Sequence, residues 1–409
     1  MPNPILSNFH QADHSNTISQ ALESVRKHLG MEIAYLSEFI DGQSIFRVVN
    51  APGLEDLIKP GDSHSLDDVY CRHILEGRLP ELMADTADYP LAVSMPITKA
   101  VPIGAHISVP IRHEDGSAYG MFCCLSPHAN KSLNDRDLQV MRVFADMAAS
   151  QIKREVAANK QLQERRARVE QIISASMFAF VFQPIWDFRT QKPMGFETLC
   201  RFTSQPYRSP DKWFNEAAEA ECGVQLELAV LKMALEAFPA LPNDVYLTFN
   251  ASPETILSGE LEKLFASAPR HRLVLEVTEH SPVRNYGELR AALAPLRDAG
   301  VKLAIDDAGA GYSSLQHIIQ LKPDIIKLDI GLTHAIDSDP ARRALAAALI
   351  SFARETDCVI VAEGIETANE LQTLTLLGIP RGQGYFLGRP MDIASAVMLV
   401  AKPVMQKSA

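Results

Sequence analysis

The pattern of apolar and polar positions changes character near residue 178. Before it, the pattern predicts a helix at residues 17–29, strands in "MEIAYLSEFI" and "SIFRVVN", and a hairpin in "AHISVPIRHEDGSAYGMFCCLS" around Asp115-Gly116. From Phe178 onward, short apolar runs rich in β-branched residues alternate with helical stretches. The chain is therefore predicted to contain two domains of different construction.

The second half alternates strands and helices over about 230 residues, which indicates a parallel sheet. Eight apolar runs favour a closed barrel over an open sheet. A doubly wound open sheet is the alternative, although no GxGxxG follows the first run. The predicted strands are "FAFVFQPIW", "MGFETLCRF", "VYLTFNAS", "LVLEVTE", "VKLAIDDA", "DIIKLDI", "VIVAEGIE" and "GQGYFLG".

Between the two halves, residues 136–176 have a helical pattern without proline or glycine. A heptad register places Ile152, Asn159, Arg166 and Ile173 at position a and Leu162 and Val169 at position d. Asn159 at a core position favours a parallel dimer through this helix, whereas Glu155 at a d position weakens the seam. A solvated connecting helix within one chain explains the pattern equally well.

Composition narrows the classes of function. The 409 residues carry a formal net charge of −11, which argues against a protein that coats polymeric nucleic acid. The negative net charge is compatible with a small anionic substrate whose charge is neutralised by metal ions. We find no signal-peptide pattern, no apolar run long enough to span a membrane, and no CxxC spacing among the six cysteines. These features predict a cytoplasmic protein with reduced thiols.

The informative polar residues follow the apolar runs of the second half. They are Glu197, Asn250, Glu276 with Glu279, Asp306 with Asp307, Lys327 with Asp329, Glu363 with Glu366, and Gln383. In a β/α barrel the carboxyl ends of the strands converge on one face, so these side chains would share a pocket. That many carboxylates repel one another unless cations are present. Oxygen ligands without thiol or imidazole favour Mg²⁺ or Mn²⁺.

A simpler interpretation exists for each acid alone, because an acid after a strand often caps the next helix. Asp307 could cap a helix that starts near Ser313, and Glu366 could cap a helix or pair with Arg381. Capping does not require acids after so many different strands. The joint pattern therefore predicts metal binding, with one aspartate of the adjacent pair bridging two ions.

The motifs "FQPI", "GFETLCRF", "FNAS", "LEVTE", "AIDDAGAGYSSL", "IIKLD", "VAEGIE" and "GQGYFLGRP" appear in this order. The series closely resembles the EAL-domain cyclic di-GMP phosphodiesterases over residues 170–400. The resemblance implies a TIM-type (β/α)8 barrel that hydrolyses cyclic di-GMP to linear pGpG with two Mg²⁺ or Mn²⁺ ions. The sequence departs from the family at Thr198, where alanine is usual, and at Ala308, where phenylalanine is usual and would anchor the loop 306–314.

The resemblance also implies roles for individual residues. The first metal ion would be held by Glu197, Asn250, Glu276 and Asp306. The second would be held by Asp306 and Asp307, with Glu363 acting through this ion or its water. Lys327 would position the attacking water, and Glu279 would brace the loop 306–314. Substrate contacts would come from Gln183, Arg201 and Gln383, while Asp329 and Glu366 match acids near the metals.

Residues 15–155 resemble a GAF sensor domain, an α+β fold, through "MEIAYLSEF", "YCRHILEGRLPELMADT" and "ISVPIRHEDGSAYGMFCCLSP". Cys71 could carry a thioether-linked chromophore or form a redox site, although an ordinary half-buried cysteine is the commoner case. His73 and His106 could contact a ligand, although lone histidines are usually structural. The sequence names no ligand, so the input is an unknown small molecule or redox signal.

Three functions are consistent with these features. The first is a GAF-regulated, metal-dependent cyclic di-GMP phosphodiesterase, active as a homodimer, whose sensor acts on the loop 306–314. The second is a catalytically weak or silent EAL receptor that binds cyclic di-GMP and signals by conformational change. A barrel hydrolase of other phosphoesters is third and leaves the motif series unexplained. The presence of every candidate metal ligand and of Lys327 favours the enzyme.

Overall fold

The computed structural model describes residues 14–113, 115–277, 283–308 and 312–401, with the side chains of residues 14–16 and 312–314 left out of the description. The chain divides into two compact units between Gln161 and Leu162. Each unit has its own hydrophobic core, and each is described separately below.

The first unit is built on a six-stranded antiparallel sheet with the order β3-β2-β1-β6-β5-β4. The strands are β1 (Ile33–Ile40), β2 (Gln43–Asn50), β3 (Ser63–Ser65), β4 (Leu82–Met83), β5 (Ala105–Arg112) and β6 (Ala118–Ser126). The helices are α1 (His14–Leu29), α2 (Tyr70–Leu75), α3 (Pro90–Ser94) and α4 (Pro96–Ala100). The predicted α+β fold of this unit is confirmed.

Both faces of this sheet are buried, because successive side chains of a strand point to opposite faces. On β6, Phe122 and Cys124 pack in a cluster with α1. Met121 and Cys123 pack in a second cluster with α2 and α4. The unit therefore has two core layers, one on each side of the sheet.

A continuous helix, α5 (Asp135–Ser174), lies where the sequence predicts a helix over residues 136–176. Its apolar residues are used by both cores: Ile152 is buried in the first unit, whereas Val169 and Ile172 are buried with Trp213 in the second. Two members of the predicted heptad seam, Ile152 and Val169, are thus already covered within the chain. The dimer through α5 stays a prediction.

The second unit is a closed eight-stranded barrel with the order β10-β11-β12-β13-β14-β7-β8-β9, which confirms the predicted TIM-type fold. Its strands are β7 (Phe178–Asp187), β8 (Lys192–Phe202), β9 (Tyr246–Ala251), β10 (Leu273–Val277), β11 (Lys302–Ala308), β12 (Ile325–Leu328), β13 (Val359–Ala362) and β14 (Arg381–Gly382). Its helices are α6 (Pro210–Glu219), α7 (Gly223–Ala234), α8 (Pro253–Leu257), α9 (Glu260–Leu264), α10 (Tyr286–Asp298), α11 (Tyr312–Leu321), α12 (Ile330–Thr333), α13 (Pro340–Glu355), α14 (Ala368–Leu376) and α15 (Ile393–Ala401).

The prediction of a parallel sheet is wrong for one strand, because β7 runs antiparallel to both of its neighbours, β8 and β14. The segment between β7 and β8 is only four residues long, 188–191, and is too short for the crossover that parallel strands require. The two strands therefore form a hairpin. Its register places Gln183 directly opposite Glu197.

In the described parts of the chain, no helix has both the length and the hydropathy that crossing a bilayer requires.

Candidate metal centre and active site

The candidate site forms one layer above an apolar layer inside the barrel. Val274, Ala304, Ile325 and Val361 belong to one buried cluster. Two residues further along the same four strands lie Glu276, Asp306, Lys327 and Glu363. Side chains two positions apart in a strand point to the same face, so the charged residues stack on the apolar ones toward the carboxyl ends of the strands. The structure brings the side chains of these four strand-end residues together.

Lys327 is the centre of the charge cluster and is only 1% exposed. Its Nζ lies 2.8 Å from Glu276 Oε2, 2.7 Å from Glu363 Oε1, 3.1 Å from Asp306 Oδ1 and 3.6 Å from Glu197 Oε1. Burial lowers the pKa of Lys327, but the surrounding carboxylates raise it well above its usual value. Its ammonium group is therefore charged at neutral pH.

One ammonium group cannot neutralise four carboxylates, of which Glu197 and Glu276 are buried and Asp306 and Glu363 are half-buried. Burial raises the pKa of Glu276 to about 8, against the lowering effect of Lys327. Burial likewise raises the pKa of Glu363 well above its usual range. Additional positive charge at this site would let both carboxylates ionise at neutral pH.

The arrangement of oxygen atoms fits divalent cations. Glu197, Glu276 and Asp306 each offer a carboxylate oxygen within 4.8 Å of the others, and so do Asp306, Asp307 and Glu363. The two groups share Asp306. Glu276 is fully buried, and its Oε1 has no hydrogen-bond partner among the residues that the structure describes. A buried carboxylate oxygen without a donor is a position that a cation would satisfy.

A backbone irregularity explains how two adjacent aspartates face one site. Neighbouring residues of a regular strand point to opposite faces. The pairing of β11 with β12 shifts register between Ile305 and Ala308, and Asp307 has a φ of 53°, in the left-handed region. This bulge turns Asp307 toward Glu363, beside Asp306. Strained backbone of this kind is concentrated at functional sites.

Gln383 lies within the acidic cluster and is 4% exposed. Its Nε2 donates to Glu197 Oε2 at 2.6 Å and to Glu363 Oε1 at 2.9 Å. The flanking glycines make this close packing possible: a Cβ on Gly384 would lie 2.2 Å from the backbone of Ile365. The side chain predicted to contact substrate thus orients two carboxylates in this structure.

The remaining predicted substrate and ligand residues lie on the neighbouring strands. Asn250, on β9, stands in register beside Glu276 and is half-buried. Gln183 faces Glu197 across the β7–β8 hairpin, and its Nε2 lies 3.5 Å from the carbonyl oxygen of Gly388. Arg201 lies four residues beyond Glu197 on β8, and its Nη1 donates to the carbonyl oxygen of Cys200 at 2.8 Å.

Three predicted acids are not placed in the cluster. Asp329 caps α12 by accepting a hydrogen bond from the Gly331 amide at 2.8 Å. Glu366 is exposed, and Thr367, not Glu366, caps α14. Glu279 lies outside the described residues, as do residues 309–311 of the loop 306–314. Ala308, at its start, is fully buried.

Sequence reasoning missed Glu227, on α7. Its Oε2 accepts from the Ser252 amide at 2.9 Å and from the Ser252 hydroxyl at 3.0 Å, two residues beyond Asn250. Burial raises the pKa of Glu227. Because Glu227 follows no strand and belongs to an amphipathic helix, its sequence position gives no signal of a role near the site.

Comparisons with known proteins agree with this geometry. The EAL domain description matches residues 165–390, and the GAF domain description matches residues 13–152. The Escherichia coli (strain K12) protein named "Probable cyclic di-GMP phosphodiesterase PdeN" is 29% identical over 243 residues, which are 56% of this chain and 47% of that protein. The E. coli relative named "Probable cyclic di-GMP phosphodiesterase PdeD" is 31% identical over 225 residues, 53% of this chain and 42% of that protein. The chain thus spans less than half the length of these two relatives.

Among solved structures, the PaMucR phosphodiesterase in complex with c-di-GMP superposes with a TM-score of 0.52 at 27% identity, covering 58% of this chain and 99% of that one. The EAL domain protein of Listeria monocytogenes EGD-e superposes with a TM-score of 0.52 at 22% identity, over 56% of this chain and 94% of that one, which is a likeness of fold. With an EAL match over more than half of its length and a closed barrel of the corresponding fold, this chain belongs to the EAL domain family and carries a GAF domain before the barrel.

Proposed function

We propose that this chain hydrolyses cyclic di-GMP to linear pGpG, using divalent cations held by the acidic cluster of the barrel. The observation that carries the proposal is that two sets of three acidic residues, each close enough to hold a cation, share Asp306. In addition, Glu276 Oε1 is buried and has no hydrogen-bond partner in the described part of the chain. Relatives at about 30% identity are named cyclic di-GMP phosphodiesterases, which supports the choice of substrate.

Two ions, Mg²⁺ or Mn²⁺, suit this set of donors. Glu197, Asn250, Glu276 and Asp306 would hold one of them, and Asp306 with Asp307 would hold the other, with Glu363 beside it. When bound, such ions lower the pKa of a coordinated water and stabilise negative charge on phosphate oxygens. They also supply the positive charge that the cluster needs beyond Lys327.

The protein's own side chains have separate tasks in the proposed reaction. Lys327 stays protonated among the carboxylates, so it can hold the attacking water by donating a hydrogen bond to it, but it cannot act as a base. Arg201 presents a guanidinium that can grip a phosphate oxygen. Water adds to phosphorus, the bond to one ribose 3′ oxygen breaks, and that oxygen leaves with a proton as the free hydroxyl of pGpG.

The direct test incubates purified full-length protein with cyclic di-GMP and Mg²⁺ or Mn²⁺, with product separation by chromatography. We expect pGpG to form with either cation and to stop when the cation is chelated. Cyclic di-GMP binding without product, at saturating cation, would favour the silent receptor instead. Neither binding nor product would contradict both functions.

We also propose that the GAF domain regulates this activity, that the loop 306–314 is where the regulation acts, and that the chain works as a homodimer through α5. The dimer proposal rests on Asn159 in the middle of a 40-residue helix. Because Ile152 and Val169 are already buried within the chain, the contact would have to use the segment between them. Light scattering at micromolar concentration should give twice the monomer mass, and a monomer would rule this contact out.

A further inference from the structure

A cavity of about 280 Å³ lies in the first unit, on the side of the sheet that faces α2 and α4. Its wall is mainly apolar and aromatic, with Tyr35, Phe46, Tyr70, Ile97 and Leu125 among its members. Its rim includes the half-buried Asp62 and the exposed Ala100, so it opens to solvent. Ligand pockets in proteins are concave, mostly apolar and carry a few convergent polar groups, and this cavity has that form.

The cavity wall contains one buried polar group that is left without a partner. His106 is 2% exposed, and its Nδ1 has no hydrogen-bond partner within the part of the chain that the structure describes. The neighbouring Tyr70 packs its ring edge-on at 5.0 Å and does not satisfy the imidazole, because its hydroxyl lies 2.6 Å from the Thr98 hydroxyl. Thr98 in turn donates to the Ala92 carbonyl. His106 is therefore the group left to meet a ligand.

The charge of the wall restricts the ligand. Among the described residues that line the cavity none is a lysine or an arginine; besides His106, the lining includes one acid, Asp62 at the rim, and the half-buried His64. Burial lowers the pKa of His106 to about 3, so its imidazole is neutral at physiological pH. A phosphate or a carboxylate placed against His106 would be desolvated with no lysine or arginine of the lining to pair with it, which is costly.

From the size, the apolar wall and the buried imidazole of His106 that lacks a partner among the described residues, we propose that this cavity binds a small neutral aromatic molecule of one or two rings, with one hydroxyl or N–H group that pairs with His106. The volume is below the lower end of common ligand pockets, which start at about 300 Å³, and it is too small for a nucleotide or a tetrapyrrole. The binding is non-covalent. Cys71 does not line the cavity in the described structure, and burial raises the pKa of its thiol to about 12, so it is not a reactive thiolate.

Three probes of similar shape test the ligand class on the full-length protein: phenol, toluene and benzoate, each followed by isothermal titration. We expect phenol to bind with a stoichiometry of one per chain, about three- to tenfold more tightly than toluene, because toluene cannot pair with His106. Benzoate should bind at least about tenfold more weakly than phenol, because its charge would be buried unpaired. Absence of saturable phenol binding, equal binding of toluene, or equal binding of benzoate would each overturn the proposal.

Variants locate the binding. His106→Leu should bring the affinities for phenol and toluene to within about twofold of each other. The matched control His113→Leu, an exposed histidine just after β5, should keep the preference. Ala100→Trp, at the rim and outside the core, should abolish binding of both probes while the circular dichroism spectrum stays unchanged. A phenol preference that survives His106→Leu, or probe binding that survives Ala100→Trp, would show that the probe binds elsewhere.

Discussion

The barrel site and the cavity of the first unit both contain buried polar side chains, and they differ in the kind of polar group that is buried. The barrel site contains four carboxylates around one lysine, whereas the cavity is lined by the neutral imidazole of His106, whose Nδ1 has no hydrogen-bond partner among the described residues. A buried excess of negative charge requires cations, and a buried neutral group requires only a hydrogen bond. The two pockets therefore select opposite ligand classes, although they belong to one chain.

Their construction differs in the same way. The charged groups of the barrel come from separate strands that converge at one end, and β11 contributes two adjacent aspartates because its register shifts there. The cavity is enclosed by one face of a sheet and by short helices and loops, which supply mostly apolar surface. Convergent strand ends concentrate charge, whereas a sheet face covered by helices concentrates apolar area.

The largest expected effect comes from removing a cluster carboxylate. Glu197→Ala should reduce cyclic di-GMP hydrolysis by more than about 100-fold, since even residues that only support metal ligands cost about 10- to 100-fold. The fold should survive, because the apolar layer beneath does not include Glu197. Glu355→Ala, an exposed acid on α13, is the matched control. Turnover within tenfold of wild type at saturating metal would contradict the role of Glu197 as a ligand.

Lys327→Met removes the ammonium group and keeps most of the aliphatic stem. We expect turnover to fall by about 100-fold or more, while binding of cyclic di-GMP, measured by titration in Ca²⁺, changes much less. In chelator the variant should also lose about 3–5 kcal/mol of unfolding free energy, because buried carboxylates lose their counter-charge. Lys302→Met, at the exposed start of β11, is the control. Lost binding with unchanged turnover of bound substrate would show that Lys327 grips the substrate instead.

Substitution of Glu227 should have an intermediate effect on metal affinity, because its carboxylate accepts hydrogen bonds from Ser252, two residues beyond Asn250. Glu227→Ala should raise the metal concentration for half-maximal activity by about tenfold, with a smaller change of kcat at saturating metal. Glu227→Gln keeps an oxygen acceptor for the Ser252 amide and should restore most of the metal affinity. A fall of kcat with an unchanged metal requirement would mean that Glu227 only supports the fold.

The smallest expected effect is the pH dependence of the stability of the first unit, which contains the cavity. Burial lowers the pKa of His106 from its usual value of about 6.5 to about 3, so between these two pH values the unfolded chain binds a proton that the folded chain does not. The first unit should therefore lose stability as the pH falls from 7 to 5, by about 2 kcal/mol from this residue. Amide exchange of β5 in the full-length protein measures this loss.

His106→Gln should reduce the pH dependence of that exchange, because glutamine does not titrate. His64, which lines the same cavity, and Asp62 at its rim are present in both proteins, so the difference between the two proteins isolates His106. The same comparison with the exposed His113→Gln should show no reduction. Identical pH dependence in wild type and His106→Gln would contradict the assigned pKa.

The sequence by itself determined seven of the eight strands of the barrel and the residues that follow them, whereas the run predicted as the eighth strand, residues 382–388, shares only Gly382 with β14. Short apolar runs have a local signature, and the position two residues after a buried strand residue must face the same way. This placed Glu197, Glu276, Asp306, Lys327 and Glu363 together before any contact was known. It also supported a structural interpretation of Asp329, whose cap lies within two residues of it.

The tertiary structure alone decided the features that depend on residues far apart in the chain. Four such features leave no periodic trace in the sequence. They are the antiparallel direction of β7, the bulge that turns Asp307 inward, the pairing of Gln383 with Glu197 and Glu363, and the burial of Ile152 and Val169. His106 is a further example, because its neutrality and its missing partner result from the helices that cover its strand. Register and burial arise when distant segments pack together, whereas local periodicity reports only which face of a segment is apolar.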